Sequence, residues 1–530
     1  MKVLVAEAVT PAALDVLNAQ KGWEVVIATP DAYGPHLADC DALVVRSQKV
    51  DRSVITRAPK LRVIGRAGVG AENIDLPAAT AAGVLVMHTP GINAVSVAEH
   101  TMALMLSLAR MIPAATASTT SGKWERRSFV GHELRGKTLG IFGMGSIGRE
   151  VVVRAKAFAM HVIAHDPFVN PQAAVDLDVE LVSLEQLYAA SDYLTLHVAL
   201  TPATSKVINA ASIAKMRDGV RIINCAQGGL VDNDALLEGL RSGKVGGAGL
   251  DVFDPEPLPS DHPLLKAPNL IATPHIGGVT EEAKDIVGVR IMEQVVQYLT
   301  SGVAVNAVNM PTISPEQYRT LGPYIALAER LGTFATSISS GNPKSARFSY
   351  TGRVAELTTQ LVRNAGLAGL LNGSLTHKAN LVNAMQLASQ RGLRVAEVHE
   401  KQTSSYTDTV RVELETSDGT VSVEGALVLG NMRLLRVNGI YCEAKLDGHI
   451  TYVVNEDVPG TIGAIGRVLG AASINIANFS LGREEEAARP GEPLLAVAVI
   501  ETDCTVPEAV LTRLLEIPAI KQARMIELHA

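Results

Sequence analysis

The sequence predicts an α/β chain of several domains: two doubly wound lobes, then an α+β domain, then a ferredoxin-like βαββαβ sandwich. Three observations carry this. The chain has 530 residues, too many for a single core. Through its first 310 residues or so, short β-branched runs alternate with helical stretches, the pattern of a covered parallel sheet. Beyond Pro311 the texture changes to alternation rich in glycine, serine and threonine. The balance is that of an ordinary globular protein, 47% hydrophobic and 19% charged, with a net charge of −7. No basic block is offered to a polyanion, so nucleic acid is excluded as a partner. Cys40, Cys225, Cys442 and Cys504 lie far apart without ligand spacing, which argues against a disulfide framework and a metal site and for a reducing cytoplasm. No apolar run reaches the roughly 18 residues that span a bilayer, so no membrane association is expected.

Taken in order, strands are predicted at 2–6, 24–28, 42–46, 62–65 and 84–87, with helices at 11–19 and 76–81 between them. A long helical pattern at 96–110 leads into a second α/β block at 138–277, with strands at 193–198, 220–224 and 249–252. A helical run at 281–299 returns the chain to the first lobe, so the second is inserted into it. This gives Rossmann-like lobes at 1–95 with 278–310 and at 96–277, with hinges near 90–100 and 278–290. Residues 311–447 read as an α+β domain with strands at 346–351, 409–416 and 425–437 and helices at 354–361 and 380–391. Residues 448–530 read as strands at 450–455, 474–481, 494–501 and 521–528 with helices at 459–469 and 506–515. The charged segment 483–492 suits a solvated hairpin loop.

The run TLGIFGMGSIG, from Thr138 to Gly148, joins a strand, a glycine turn and a helix start, and Asp166 follows at the end of the next apolar run. That is the layout of a dinucleotide-binding unit. Gly143 permits the tight turn, Gly145 lets backbone approach a pyrophosphate, and Gly148 lets the helix pack on the strand. A carboxylate at 166 would hold ribose hydroxyls and repel a 2′-phosphate, favouring NAD. Three later segments each follow a strand: NCAQGG from Asn224, GLDVFDPEP from Gly249 and TPHIGG from Thr273. In an open parallel sheet, turns at the strands' carboxyl ends converge on one crevice. His275, backed by Gly277 and Gly278, has the location of an acid/base, although a histidine in such a turn also serves as a structural hydrogen-bonder. Glu256, between two prolines, offers a carboxylate to orient the imidazole.

With VRS at Val45, GRAGVGAENID at Gly65 and GKWER at Gly122, these motifs resemble the NAD-dependent D-2-hydroxyacid dehydrogenases, and the whole chain is similar to the long members with intervening and ACT domains. The resemblance implies oxidation of 3-phospho-D-glycerate at C2, the opening of phosphorylated serine biosynthesis, by a homo-oligomer. It places Arg46, Ser47, Arg66 and Gly68 against the substrate and Arg126 across a dimer interface, although any one arginine could be a surface ion pair. Around NAD it places Val69, Gly143, Gly145, Ser146, Ile147, Gly148, Asp166, Val198, Cys225, Ala226, Asp251, Gly277 and Gly278, with Asp251 on the nicotinamide carboxamide. In the ACT-like tail, NEDVPG at Asn455 supplies Asp457, placed to cap a helix or meet an amino group, and SINI at Ser473 supplies Asn475. The resemblance makes these two an L-serine effector site.

One position departs from the family pattern: Gln227 stands where the family has its catalytic arginine. Glutamine donates hydrogen bonds without charge or a bidentate fork, a loss on the order of 3 kcal/mol, about a hundredfold in rate. A variant compensated by another cation, an engineered knock-down and a decayed enzyme are all compatible with it, and the intact His275 and Glu256 favour the first. The rival functions are a dehydrogenase for another 2-hydroxyacid, such as 2-hydroxyglutarate, and a catalytically weakened NAD-sensing scaffold.

Overall fold

A computed structural model describes residues 1–528 apart from 8, 30–31, 374–377, 401–407 and 486–492. Most of the charged segment expected as a hairpin loop therefore lies outside the described residues.

The first sheet contains β1 (Lys2–Val5), β2 (Glu24–Ile27), β3 (Ala42–Val45), β4 (Val63–Arg66) and β5 (Leu85–Met87), all parallel, in the order β2-β1-β3-β4-β5. Alternate strand residues sort into two cores, as the two-residue period of a strand requires. Val3, Val5, Val44 and Val63 face one cluster; Leu4, Leu43, Val45 and Ile64 face the other. The helix Glu281–Ser301 covers the first face, so close that a side chain at Gly65 would lie 2.9 Å from Ile291 and Val295. The chain thus returns to this sheet.

The second sheet is also parallel. It contains β6 (Thr138–Phe142), β7 (His161–His165), β8 (Glu180–Leu181), β9 (Tyr193–Leu196), β10 (Val220–Asn224), β11 (Val245–Leu250) and β12 (Leu270–Ala272), in the order β12-β11-β10-β9-β6-β7-β8. Strand order reverses at β6, which pairs with both β7 and β9, so the crevice opens above the glycine turn that follows β6. The helix Ala94–Arg110 buries Val97, Met102, Leu104, Met105 and Leu108 against this sheet. Among the described residues no single helix is long and apolar enough to cross a membrane.

Beyond residue 311 the structure corrects the expectation in detail. A helix, Pro315–Ile338, opens this region where only alternation was read; Ser314 and Gln317 form its capping box. The 354–361 helix is instead a short 3-10 turn, Arg353–Glu356, followed by the helix Gln360–Asn372, and the 380–391 helix shortens to Ala384–Gln390. The third sheet holds β13 (Pro343–Gly352), β14 (Arg394–Glu400), β15 (Asp408–Thr416), β16 (Thr420–Val428), β17 (Asn431–Val437) and β18 (Ile440–Lys445), in the order β14-β13-β15-β16-β17-β18. The single 425–437 strand is two, because Leu429 and Gly430 turn the chain with φ 50° and 79°. The helices Pro315–Ile338 and Gln360–Asn372 cross at glycines: a Cβ at Gly332 would sit 2.1 Å from the Gly366 carbonyl oxygen.

The last sheet is antiparallel: β19 (Gly448–Glu456), β20 (Ile476–Arg483), β21 (Leu495–Thr502) and β22 (Ile520–Leu528), in the order β20-β21-β19-β22. With the helices Thr461–Ala471 and Glu508–Leu515 this is a βαββαβ unit of ferredoxin-like order. Its helix-free face is covered: Tyr452 meets Phe334 edge-on at 5.7 Å, and Gln522 donates to the Ile338 carbonyl. The α+β region in turn docks on the first lobe, where the Asn380 amide donates to the Gly83 carbonyl at 2.8 Å.

Candidate active site

Three turns of the second sheet rise from the carboxyl ends of β10, β11 and β12. The turn after β12 carries His275, whose backbone is left-handed at φ 55°. Such a conformation strains a residue with a Cβ and persists only where its surroundings hold it. They do so here. Asp251, 1% exposed at the end of β11, accepts from Ile276 N at 2.9 Å, Gly277 N at 2.8 Å and Thr273 Oγ1 at 2.6 Å, while its own carbonyl accepts from His275 N. Burial disfavours its charge, but hydrogen bonds from His100, Thr273 and the two backbone amides outweigh that and hold its pKa below the usual carboxylate range.

His275 Nδ1 lies 2.5 Å from Glu256 Oε1, and Glu256 Oε2 accepts from Phe253 N at 3.3 Å. The carboxylate is thus anchored to its own turn, holds the imidazole by Nδ1 and leaves Nε2 for chemistry. Half of the His275 side chain is exposed, open to a reactant.

On the turn after β10, Cys225 is buried and its thiol is pushed up to about 12, first by that burial. Ala226 N donates to Asn224 Oδ1, and Asn224 Nδ2 donates to the Gln227 carbonyl, so Asn224 shapes the turn from below. Gln227 itself has an extended backbone and an exposed side chain.

The glycine turn meets the steric demands of its motif. Gly143 has φ 101°, and a Cβ there would lie 2.5 Å from the His197 carbonyl; one at Gly148 would lie 2.1 Å from the Gly143 carbonyl. Gly145 faces open space, with nothing within 4 Å of a Cβ position. Behind it the helix Ser146–Ala157 starts at Ser146 and Ile147 without a side-chain cap, leaving its first amides to a phosphate. Asp166 Oδ2 accepts from Met144 N and Oδ1 from Phe168 N, placing the carboxylate at the crevice edge beside the turn. Val198 borders the same turn, its Cγ1 2.7 Å from a Cβ position on Gly143. These residues fit a dinucleotide.

The first lobe contributes the loops after β3 and β4, adjacent strands whose ends pair Val45 with Arg66. Glu7 holds the first loop, accepting from Arg46 N, Ser47 N, Ser47 Oγ and Gln48 N. The Asn73 amide donates to the Gln48 carbonyl at 2.6 Å. Arg66 folds over Gly68 with its Nε buried and unpartnered; burial first, opposed by the charge of Glu72, lowers its pKa. Thr89 donates to the Gly68 carbonyl through both N and Oγ1, and His88 Nδ1 contacts the Val69 carbonyl. Two residues on, Gly91 comes within reach of Ser146: a Cβ there would be 3.2 Å from its Oγ. The loop after Thr89 thereby lies close against the glycine turn. Arg126 lies elsewhere, on the exposed 3-10 turn Arg126–Ser128, without an ion pair among the described residues.

In the tail, the helix expected from Pro459 begins at Thr461, with left-handed Gly460 before it and no side-chain cap. Asp457 is therefore not an N-cap; its Oδ1 lies 3.4 Å from Arg483 Nε. Asn475 donates to Asp503 at 2.8 Å. Sequence reasoning passed over Glu7, His100, Asn224 and Thr273. Each is a polar residue in or beside a strand end or helix face, and only the fold shows which partners it meets.

A family model described as the D-isomer specific 2-hydroxyacid dehydrogenase NAD binding domain matches residues 102–277, and one described as the D-3-phosphoglycerate dehydrogenase intervening domain matches 320–438. The chain is 41% identical over 531 residues to a D-3-phosphoglycerate dehydrogenase of Methanocaldococcus jannaschii, covering all of both chains. It is 39% identical over 533 residues to that of Archaeoglobus fulgidus, again covering both completely. Among solved structures, an NAD-dependent formate dehydrogenase of Staphylococcus aureus in complex with NAD matches with a TM-score of 0.51 at 29% identity, over 59% of this chain and all of the other.

Proposed function

The chain belongs to the D-3-phosphoglycerate dehydrogenases, NAD-dependent oxidoreductases acting on 3-phospho-D-glycerate, and from that premise we propose how its residues divide the work. His275 Nε2 takes the C2 hydroxyl proton as the carbonyl of 3-phosphohydroxypyruvate forms. Glu256, on Nδ1, fixes the tautomer and stabilises the imidazolium. NAD, when bound, accepts the C2 hydride. The turn from Gly143 to Gly148 and Asp166 hold its pyrophosphate and ribose, with Val69, Val198, Cys225, Ala226, Asp251, Gly277 and Gly278 around the remainder. Arg46, Ser47, Arg66 and Gly68 bind the substrate's anionic groups. Neither Arg46 nor Arg66 spends its guanidinium on an ion pair among the described residues, which leaves both to compensate for Gln227. The observation that carries this reading is the 2.5 Å His275–Glu256 pair on a turn beside the cofactor crevice.

Regulation and assembly belong to the same proposal. The βαββαβ unit is an ACT domain at 448–530 in which Asp457 and Asn475, paired across subunits, bind L-serine. The domains run 1–95 with 278–310, 96–277 and 311–447 before it. The segment 112–130 supports a homo-oligomer, since Ile112, Trp124 and Val130 are 50%, 86% and 72% exposed, and Arg126 on this arm would reach across the interface. Four unpaired thiols suit the cytoplasm.

The test is steady-state reduction of NAD with 3-phosphoglycerate. We expect turnover in the wild type and a fall in kcat of about a thousandfold in His275→Ala; an unchanged rate in that variant would refute the assignment. Calorimetry with L-serine and light scattering test the effector site and the oligomer.

A further inference from the structure

The turn that carries His275 is held from behind by a residue outside the crevice. His100 lies on the helix Ala94–Arg110, its Nε2 3.0 Å from Thr273 Oγ1 and 3.3 Å from Asp251 Oδ1. Proton counting fixes the direction of these contacts. Thr273 has one hydroxyl proton, and the 2.6 Å contact with Asp251 Oδ1, which only accepts as a carboxylate, commits it there. Toward His100, Thr273 Oγ1 can then only accept, so His100 Nε2 carries a hydrogen. That N–H completes a set of four donors converging on Asp251 and its hydroxyl partner: His100 Nε2, Thr273 Oγ1, Ile276 N and Gly277 N. Gly277 packs against both partners: a Cβ there would crowd Asp251 Oδ2 at 3.0 Å and touch His100 Cδ2 at 3.5 Å.

The same helix is stitched to the second crossing between the lobes. Ser96 Oγ lies 2.9 Å from Thr280 Oγ1, and Asn93 Nδ2 would be 2.5 Å from a Cβ on Gly278. The two crossings run side by side, and His100 is the contact that reaches from them to the base of the His275 turn.

We propose that His100 is a positioning residue for His275: through Thr273 and Asp251 it holds the left-handed turn that aims Nε2 at the substrate hydroxyl. This rests on His275 being the acid/base. A loosened turn misplaces the base, and a displacement of about 1 Å can cost on the order of a hundredfold in rate. Among the described residues no hydrogen bond or ion pair joins His100 to the glycine turn that would bind pyrophosphate.

His100→Ala is expected to lower kcat for 3-phosphoglycerate about tenfold or more, within that range. Its NADH affinity by fluorescence titration, carried mainly by the glycine turn and Asp166, should fall by less than kcat does. Its isotope effect on kcat with C2-deuterated substrate should rise as the chemical step becomes limiting. His100→Gln, which returns an amide N–H close to the Nε2 position, should recover most of the rate. If His100→Ala fails to fold, Thr273→Val, of equal shape, removes the same link and should reproduce the pattern. A kcat within about twofold of wild type in both His100→Ala and Thr273→Val would overturn the proposal. So would equal slowing of the Ala and Gln variants with unchanged isotope effects and a lowered melting temperature, the mark of a structural role alone. Failure of the underlying reading shows separately, as an unchanged rate in His275→Ala.

Discussion

Two carboxylates, one after a strand of each parallel sheet, do the same job in different surroundings. Glu7 gathers the backbone amides of Arg46, Ser47 and Gln48 beneath the substrate-side arginine; Asp251 gathers those of Ile276 and Gly277 beneath the histidine. Glu7 stays partly open to water, whereas Asp251 is 1% exposed and ringed by further donors from Thr273 and His100. A charge-assisted bond strengthens as water leaves, and so does the cost of breaking it. On the proposed reading, the side that would transfer a proton is the more tightly held, and the side that would meet a flexible, anionic substrate is the more open to adjustment. That division would suit the proposed roles, since a general base at His275 must meet one proton at one angle, whereas arginines binding by charge would tolerate a wider range.

The largest expected effect on this contrast comes from Asp251→Asn. It sets an NH₂ group against backbone donors in a buried site, and should destabilise the chain by about 3 kcal/mol in thermal melting and lower kcat together with stability. Its pH dependence follows from the depressed pKa. The stabilisation is fully present above the unfolded-state value near 3.8 and lost as pH falls through the lower folded value. The stabilities of the wild type and of this variant should thus separate above about pH 4 and converge below it; a constant gap down to the most acid measurable pH would show that the charge is not what holds the turn. Glu7→Gln should cost less, about 1 kcal/mol, and act on KM for 3-phosphoglycerate more than on kcat. Equal costs for the two substitutions would break the comparison. The smallest effect is assigned to Gln227→Arg: with Arg46 and Arg66 free to hold the anion, kcat/KM should move by no more than about threefold. A large rise in the same NAD-reduction assay would mean that the cations do not compensate.

Legibility in the sequence followed the range of the interactions. The parallel sheets and the βαββαβ tail were readable because apolar residues repeat at the period of their own element, as in Val3, Leu4 and Val5, whose alternate members enter separate cores. The glycine turn was readable because its constraints act within six residues. The helix Pro315–Ile338 went unread although Ser314 and Gln317 announce its start, since its interior includes Pro323 and several small residues that weaken the pattern. Asp457 was assigned two roles from its place before Pro459, and the cap failed because Gly460 takes the turn with φ 93°. Glu256 and His275 were paired from motifs nineteen residues apart, but nothing local pointed to His100, whose partners are 151 and 173 positions away.

By itself, then, the sequence determined most elements of the two parallel sheets and the βαββαβ tail, the turn suited to a dinucleotide and which side chains have the chemistry of acid/base and anion recognition. These rest on periodicity, turn sterics and side-chain type, all properties of a few consecutive residues. Tertiary structure alone decided which carboxylates hold the two loops and that His100 stands behind the His275 turn. Each of those is a matter of burial and of distances of about 3 Å between residues remote in the chain, and only the packed fold sets them.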